Sequence, residues 1–364
     1  MSTGTGSGRS ARGRGRTTTL ADVARRAGVS IATASFVLSG RGGLRSAGSP
    51  RTKERVRAAA EELGYVPNRH AQAMRTGRGG GIVLALSALG DPWGVSLTRQ
   101  VRATALPHDL STLVLADERW FEYLQGASAD AALITSIDLT PDGPSLTRRL
   151  AAGTQTGIVA FTAQMEPEGF DVIASTPFAA MREAYALLRS RHPVVHLLAP
   201  HPVPVGDEPP RPRLGSFLDA AREHGDGPPE RLVRTTEAGD RATYLSALDW
   251  LAGPDRPAAV ICYTGYQAIA LQRAADRVGL RTPEDLEIIS IGDVPEESLY
   301  FGAISYFGVQ DVFSRIAEVV VDRARDRTDR PGTLHTFEWE LFPGSTSRDG
   351  AGIADGDADA AVPS

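Results

Sequence analysis

Apolar positions in this chain follow two different rhythms. Near the start they recur at steps of three and four. Leu20, Val23, Ala24 and Ala27 fall this way within TLADVARRAGVS, and Val56, Ala59, Ala60 and Leu63 within RTKERVRAAAEELGY, which is the spacing of one helix face. From residue 82 onward they condense into short runs at 82–86, 112–115, 131–135, 157–161, 194–199, 258–263 and 287–291. Helix-like stretches at 177–191, 214–223, 244–251 and 265–278 separate several of these runs. Continuous apolar strands alternating with helices predict parallel sheets covered on both faces.

Punctuation sharpens the first region. Gly28 breaks the first helix, Val29 stays apolar at the corner, and Ser30 is placed to cap a second helix running to about Leu38. Two short helices joined by a Gly-containing turn present one helix to the DNA major groove, although the same pattern also fits two ordinary core helices. Ser49 and Pro50 open a third helix, which Gly64 ends. YVPNRHAQAMRTGRGGG follows. Its glycines form a flexible link and not a phosphate-cradling loop, because no strand precedes them.

Charge separates the same two regions. Residues 1–80 hold 15 Lys and Arg against 4 Asp and Glu, whereas the rest holds 24 against 40. The chain's formal charge of −5 conceals this asymmetry. A basic end on an acidic body concentrates phosphate attraction where the helix-turn-helix lies.

At 364 residues, two or three domains are expected. Hydrophobic content of 41% and charged content of 23% fit a globular protein. No stretch approaches the roughly 20 apolar residues that cross a bilayer. MSTGTGSGRSARGRGR lacks the apolar segment of a secretory signal and is expected to be a disordered basic tail over 1–16, with a disordered acidic tail over 346–364. The single cysteine, Cys262, excludes an internal disulfide, fits a cytoplasmic protein, and sits in AAVICY as a small core residue. The chain contains no G-x-S-x-G, H-E-x-x-H, C-x-x-C or Walker-type loop, so no catalytic residue and no cofactor is expected. His192, His196 and His201 cluster in sequence without a Cys or acidic partner in register, so no metal site is expected either.

The segment 19–74 resembles the DNA-binding headpiece of the LacI/GalR family of bacterial transcription regulators. The resemblance rests on TLADVARRAGVS, on Thr33 and Ser35 as T-x-S, on ERVRAAAEELGYVPN, and on a hinge of the form NRxAQxM. It implies a small all-α helix-turn-helix headpiece at 17–66 and a hinge helix and linker at 67–80. The implied body, 81–345, is α/β and periplasmic-binding-protein-like, with two doubly wound subdomains around a ligand cleft. Their expected segments are 81–175 with 305–330, and 176–304 with 331–345.

Residue roles follow from the same resemblance. Thr19, Ser30, Thr33 and Ser35 would meet phosphates, together with helix amides. Ile31, Ala32 and Phe36, with Ser39 at the helix end, take the base-reading positions. That set is unusually apolar. Such side chains touch the thymine methyl but form no two-pronged bonds to guanine or adenine, so specificity would lean on methyl contacts and DNA shape. The competing placement puts Phe36 inside the headpiece. In the hinge, Met74 stands where a leucine usually wedges into the minor groove, with Asn68 and Gln72 on the same short helix and Arg69 and Arg75 toward phosphates.

The body's matches are thinner. Asp91-Pro92-Trp93 resembles the family's Asn-Pro-Phe-Phe segment, whose aromatic faces the effector. Arg213-Leu214-Gly215-Ser216-Phe217 resembles R-L-x-G-F, whose arginine holds a ligand oxygen, and a surface helix-start arginine is the alternative. GLRTPEDLEIISIGD resembles GLRVPEDVSVVGFDD. Two departures matter: Thr264-Gly265 replaces an Asn-Asp pair, and Gly292 replaces the first of two aspartates, leaving Asp293. Those carboxylates ordinarily accept from sugar hydroxyls. With Trp93, Arg213, Tyr263, Tyr266 and Asp293 as the expected effector residues, the ligand is expected to be something other than a simple sugar.

The expected function is that of a cytoplasmic, homodimeric repressor on a double-stranded DNA operator, modulated by a small-molecule effector and without membrane contact. The alternatives are an effector-insensitive regulator controlled by abundance or a protein partner, and a solute-binding protein. The last would need a signal peptide and no helix-turn-helix.

Overall fold

The computed structural model describes residues 18–39, 49–66, 79–86, 91–116, 119–204, 211–295, 303–326 and 331–350. The chain divides at Gly79/Gly80 into two compact units. The hinge residues Asn68, Arg69, Gln72, Met74 and Arg75, the segment 1–16 and the side chain of Ser39 lie outside the described residues.

The first unit contains three helices, α1 (Leu20–Ala27), α2 (Ile31–Ser39) and α3 (Pro50–Glu62). Thr19 caps α1 in a reciprocal box with Asp22, and Gly28 closes it in the left-handed region at φ 64°. Thr18 Oγ1 donates to the Leu63 carbonyl at 2.9 Å, tying the start of α1 to the end of α3. Val23, Ala24, Ala27, Ala34, Val37, Val56, Ala59 and Ala60 form one small core, with Val29 packed at the corner. The core side chains are small because three helices converge closely at this point, and the unit has little apolar area to lose.

The second unit holds two six-stranded sheets. The first comprises β1 (Gly81–Ala85), β2 (Ser111–Leu115), β3 (Ala131–Ile134), β4 (Gly157–Phe161), β5 (Asp171–Ser175) and β11 (Leu334–Phe337) in the order β11-β5-β4-β3-β1-β2, all parallel. The second comprises β6 (His196–Ala199), β7 (Val233–Thr235), β8 (Ala259–Cys262), β9 (Glu287–Ile291), β10 (Ser305–Gly308) and β12 (Glu340–Phe342) in the order β12-β10-β9-β8-β6-β7. It is parallel except at the β10–β12 edge.

Helices α4 (Pro92–Ala105), α5 (Trp120–Gly126), α6 (Gly143–Gly153) and α11 (Val312–Arg325) cover the first sheet. Helices α7 (Phe178–Arg189), α8 (Pro212–Glu223), α9 (Asp240–Ala252) and α10 (Gly265–Val278) cover the second. Each sheet therefore has an apolar core on both faces, which is why its central strands β1, β3, β4, β8 and β9 read as largely apolar runs.

The chain crosses between sheets at 175–178, 308–312 and 337–340. The expected segment boundaries need two corrections. Ser305–Gly308 pairs with β9 and belongs to the second sheet, and Leu334–Phe337 pairs with β5 and belongs to the first. Both are four-residue strands with mixed composition, too short for a period to declare which sheet receives them. The expected tail is also corrected at its start. Thr346 and Ser347 are buried, and Thr346 Oγ1 donates to Ile288 O at 2.9 Å. Arg191 bonds Glu287 at 2.7 Å and also Asp349, which anchors 348–350 against the start of β9.

Candidate functional site

On the headpiece, α2 buries Ala34 and Val37 and turns the opposite face outward. Ile31 is 55% exposed and Phe36 45%, with Ala32 exposed beside them. Phe36 therefore stands on the outward face and not in the core. The hydroxyl at the helix start is engaged locally: Thr33 N donates to Ser30 Oγ at 3.0 Å, and the two side-chain oxygens lie 2.9 Å apart. Ser30 thus caps α2, its hydroxyl taking the Thr33 amide and its carbonyl the Ala34 amide at 3.0 Å. Thr19 is likewise an exposed cap, and Ser35 is half-buried.

In the body, the carboxyl ends of both sheets face a cavity of about 190 Å³. The topological switch points lie there, between β1 and β3 in one sheet and between β6 and β8 in the other, as expected for ligand clefts in doubly wound sheets. Leu86 and Thr135 follow β1 and β3, while Phe161 and Ser175 end β4 and β5. Thr264 and Gly265 follow β8, and Gly292 and Asp293 follow β9. Asp91 and Trp93 enter at the start of α4, Arg213 at the start of α8, and Trp339 on the last crossover.

Arg213 is fixed from behind. Its Nη1 donates to the carbonyls of Tyr263 at 2.8 Å and Ile291 at 2.9 Å, and its guanidinium lies 5.4 Å from the Tyr263 ring centroid and 5.5 Å from that of Trp339. Gly292 lies beside it at φ 136°, a backbone conformation that residues with a Cβ rarely adopt.

Asp293 is deeply buried, and burial pushes its carboxyl up to about 6 against the opposing pull of the Val309 amide, its own amide, Arg213 and the Trp93 indole. Val309 N donates to Asp293 Oδ1 at 2.7 Å. Because Trp93 packs with the first sheet's core and Asp293 follows β9, the indole–carboxylate bond crosses between the two lobes. Asp91 caps α4 through Trp93 N at 3.0 Å; burial raises its pKa, countered by that amide and by Arg213. Trp93 stands edge-on to Phe161 with centroids 5.7 Å apart and tilted to Phe313 at 5.9 Å. Trp339 Nε1 donates to Ser175 Oγ at 2.9 Å.

Of the expected effector residues, the structure brings Trp93, Arg213 and Asp293 to the cavity. Tyr263 lies behind Arg213 and acts on the cavity only through it. Tyr266 lies elsewhere: it lines a separate concavity of about 790 Å³ with Pro92, Tyr244 and Ile269, where Gly239 and Thr264 hold its hydroxyl. Helical geometry explains this, since Tyr266 follows Gly265 on α10 and points away from the strand ends. Asp91, Phe161, Ser175 and Trp339 were not among the expected residues. The three histidines separate: His192 Nε2 lies 2.8 Å from Glu287, His196 faces Trp250, and His201 lies 3.0 Å from Arg211. Cys262 is buried at the end of β8, where burial pushes its thiol pKa up.

A helix-turn-helix unit followed by a two-lobed body with a cleft at its strand ends defines a ligand-binding-protein body that carries a DNA-reading headpiece. Residues 19–68 match the family described as bacterial regulatory proteins, lacI family, and residues 184–346 match the periplasmic binding protein-like domain. The chain is 50% identical over 80 residues to the maltose regulon regulatory protein MalI of Escherichia coli K12, a match spanning 22% of each chain. It is 24% identical over 297 residues to the transcriptional repressor PurR of Pectobacterium carotovorum, covering 79% of this chain and 84% of that one. A structure of the lac repressor dimer bound to operator and an anti-inducer shares the fold at TM-score 0.64 and 22% identity, over 91% of this chain and 99% of that one. The chain belongs to the LacI family of bacterial transcription regulators. It is a DNA-binding regulator and not an enzyme.

Proposed function

We propose that the chain is a cytoplasmic repressor that binds a palindromic operator as a homodimer, with its operator affinity set by a small molecule in the cleft. The observation that carries this reading is the pairing of an outward apolar face on α2 with a buried, charged and aromatic cavity at the ends of both sheets. Among the described residues, no helix is long and apolar enough to cross a membrane. Ile31, Ala32 and Phe36 read base edges, with Ser39 at the helix end. Ser30, Thr33, Ser35 and Thr19 meet phosphates alongside helix amides. A half-site reader needs a two-fold partner to match a palindrome. Ligand in the cleft biases how the lobes close, and that bias is reciprocal with operator affinity.

Trp93, Arg213 and Asp293 face the effector, joined by Asp91, Phe161 and Trp339. The effector is something other than a simple sugar, because Gly292 and Thr264-Gly265 stand where sugar-accepting carboxylates and amides stand in relatives. The same two departures favour one second reading, a regulator that ignores small molecules and answers to abundance or a protein partner. Footprinting the full-length protein on DNA upstream of its own gene separates the two. Protection that a metabolite fraction relieves or strengthens supports the first; protection that no fraction alters supports the second; and no protected palindrome contradicts both.

A further inference from the structure

The polar groups that line the cleft are largely engaged with the protein itself. Thr135 Oγ1 donates to Ala85 O at 3.0 Å, Thr264 Oγ1 to Gln267 Oε1 at 3.3 Å, and the Trp339 indole to Ser175. The Trp93 indole and the Val309 amide occupy Asp293. The outer edge of the Arg213 guanidinium offers a donor and the second oxygen of Asp91 an acceptor, beside the Ser175 hydroxyl, which accepts from Trp339 and can still donate. The walls are aromatic and apolar: Trp93, Phe161, Trp339, Leu86 and Val312.

Size narrows the choice. A cavity of about 190 Å³ compares with the roughly 150 Å³ apolar cavity that accommodates benzene. A single flat ring therefore fits it. A sugar of any size would also bury several hydroxyls, each needing a partner at a cost of roughly 1–3 kcal/mol when left unpaired. Charge narrows it further. One guanidinium faces two carboxylates, so an anion entering the cleft meets net repulsion when both are ionised.

Resting on the reading of this cavity as the effector site, we infer that the cleft takes a small, flat, uncharged aromatic ring carrying an amide-type edge. The ligand carbonyl accepts from Arg213 and the adjacent N–H donates to Asp91, while the ring lies among Trp93, Phe161 and Trp339. The Arg213 donor and the Asp91 acceptor, both lining the cleft and near enough for the guanidinium to pull on the carboxyl, match one acceptor and one donor of an amide.

Calorimetric titration of the full-length protein with benzamide, benzoate and glucose tests this. Benzamide is expected to saturate one site per chain, with benzoate and glucose at least about tenfold weaker, the difference that 1.4 kcal/mol confers. Asp91→Asn keeps the helix cap, since Asn caps as well as Asp, and is expected to weaken benzamide severalfold while the body keeps its cooperative thermal transition. Glucose or benzoate binding ahead of benzamide overturns the amide class while leaving an effector cleft in place. Benzamide binding that Asp91→Asn does not alter overturns the assigned contact. Absence of saturable heat from all three probes overturns both the class and the reading on which it rests.

Discussion

The headpiece helix α2 and the body cleft are both apolar surfaces with a few polar groups, yet they are built in opposite ways. On α2 the side chains proposed to read bases, Ile31, Ala32 and Phe36, come from one turn and a half of one helix and face outward. In the cleft they come from segments as distant as Leu86 and Trp339 and face inward. The first surface is specified by local spacing and supported by a small core. The second exists only when two sheets and three crossovers are in place. A lesion in the headpiece should therefore remove DNA binding and spare the body, whereas a lesion in the cleft should alter ligand response and leave the headpiece intact.

The largest expected effect tests that separation. Val56 is fully buried under α1 and α2, and Val56→Asp places an uncompensated carboxylate there at a cost of roughly 4 kcal/mol or more. The headpiece is expected to unfold and operator binding to vanish, while the body's calorimetric transition stays in place. A body transition that shifts with it would break the comparison.

Arg213→Ala is the counterpart in the cleft. It removes the donor to the Tyr263 and Ile291 carbonyls and is expected to cost about 2 kcal/mol in the body, the penalty of stranded buried acceptors. Ligand heat should be lost and operator binding by the ligand-free protein retained. Loss of DNA binding at an unaltered headpiece transition would show that the two surfaces are not separable.

Asp293→Asn sharpens the cleft further through pH. The folded pKa, about 6, lies above the ordinary carboxylate value, so the folded state holds the proton more tightly. That contribution to stability is fully present below the unfolded pKa and is lost as pH rises through the folded one. Asp91 shifts in the same direction, and Arg213 opposes both. Asn Oδ1 can still accept from the Val309 amide. The variant's melting temperature relative to the parent should therefore rise between about pH 4 and 6 and level off above. A flat difference across that window would contradict the burial argument.

The smallest effect concerns the cap of α1. Thr19→Ala removes the side-chain half of the box with Asp22 and is expected to lower headpiece stability by about 1 kcal/mol, read in its thermal transition.

The same contrast explains what the sequence made legible. The α1 face of Val23, Ala24 and Ala27, the turn at Gly28, the cap at Ser30 and the α3 face of Val56, Ala59 and Ala60 are local signals, and each appears in the structure where its spacing puts it. The long apolar strands were equally readable because both of their faces are buried. Strands β10 and β11 were not, since four residues of mixed composition carry no period and their partner sheet is decided by a crossover. In the cleft, Trp93, Arg213 and Asp293 were reachable by family resemblance. Phe161 and Trp339 were not, because nothing local marks an aromatic at a strand end as facing a cavity and not a core. Tyr266 shows the converse: nearness in sequence to the β8 end did not bring it to the cavity, because one step along α10 turns a side chain away.

The central claim is that α2 presents an apolar reading face to DNA, and in-vitro selection of operators from a random duplex library tests it most directly. The parent protein is expected to enrich a palindrome, and Phe36→Arg should switch the preferred base at one symmetric pair of positions toward guanine, by the roughly 1–3 kcal/mol that a two-pronged contact confers. Enrichment of the same palindrome by both proteins, with no change at any position, would contradict the claim.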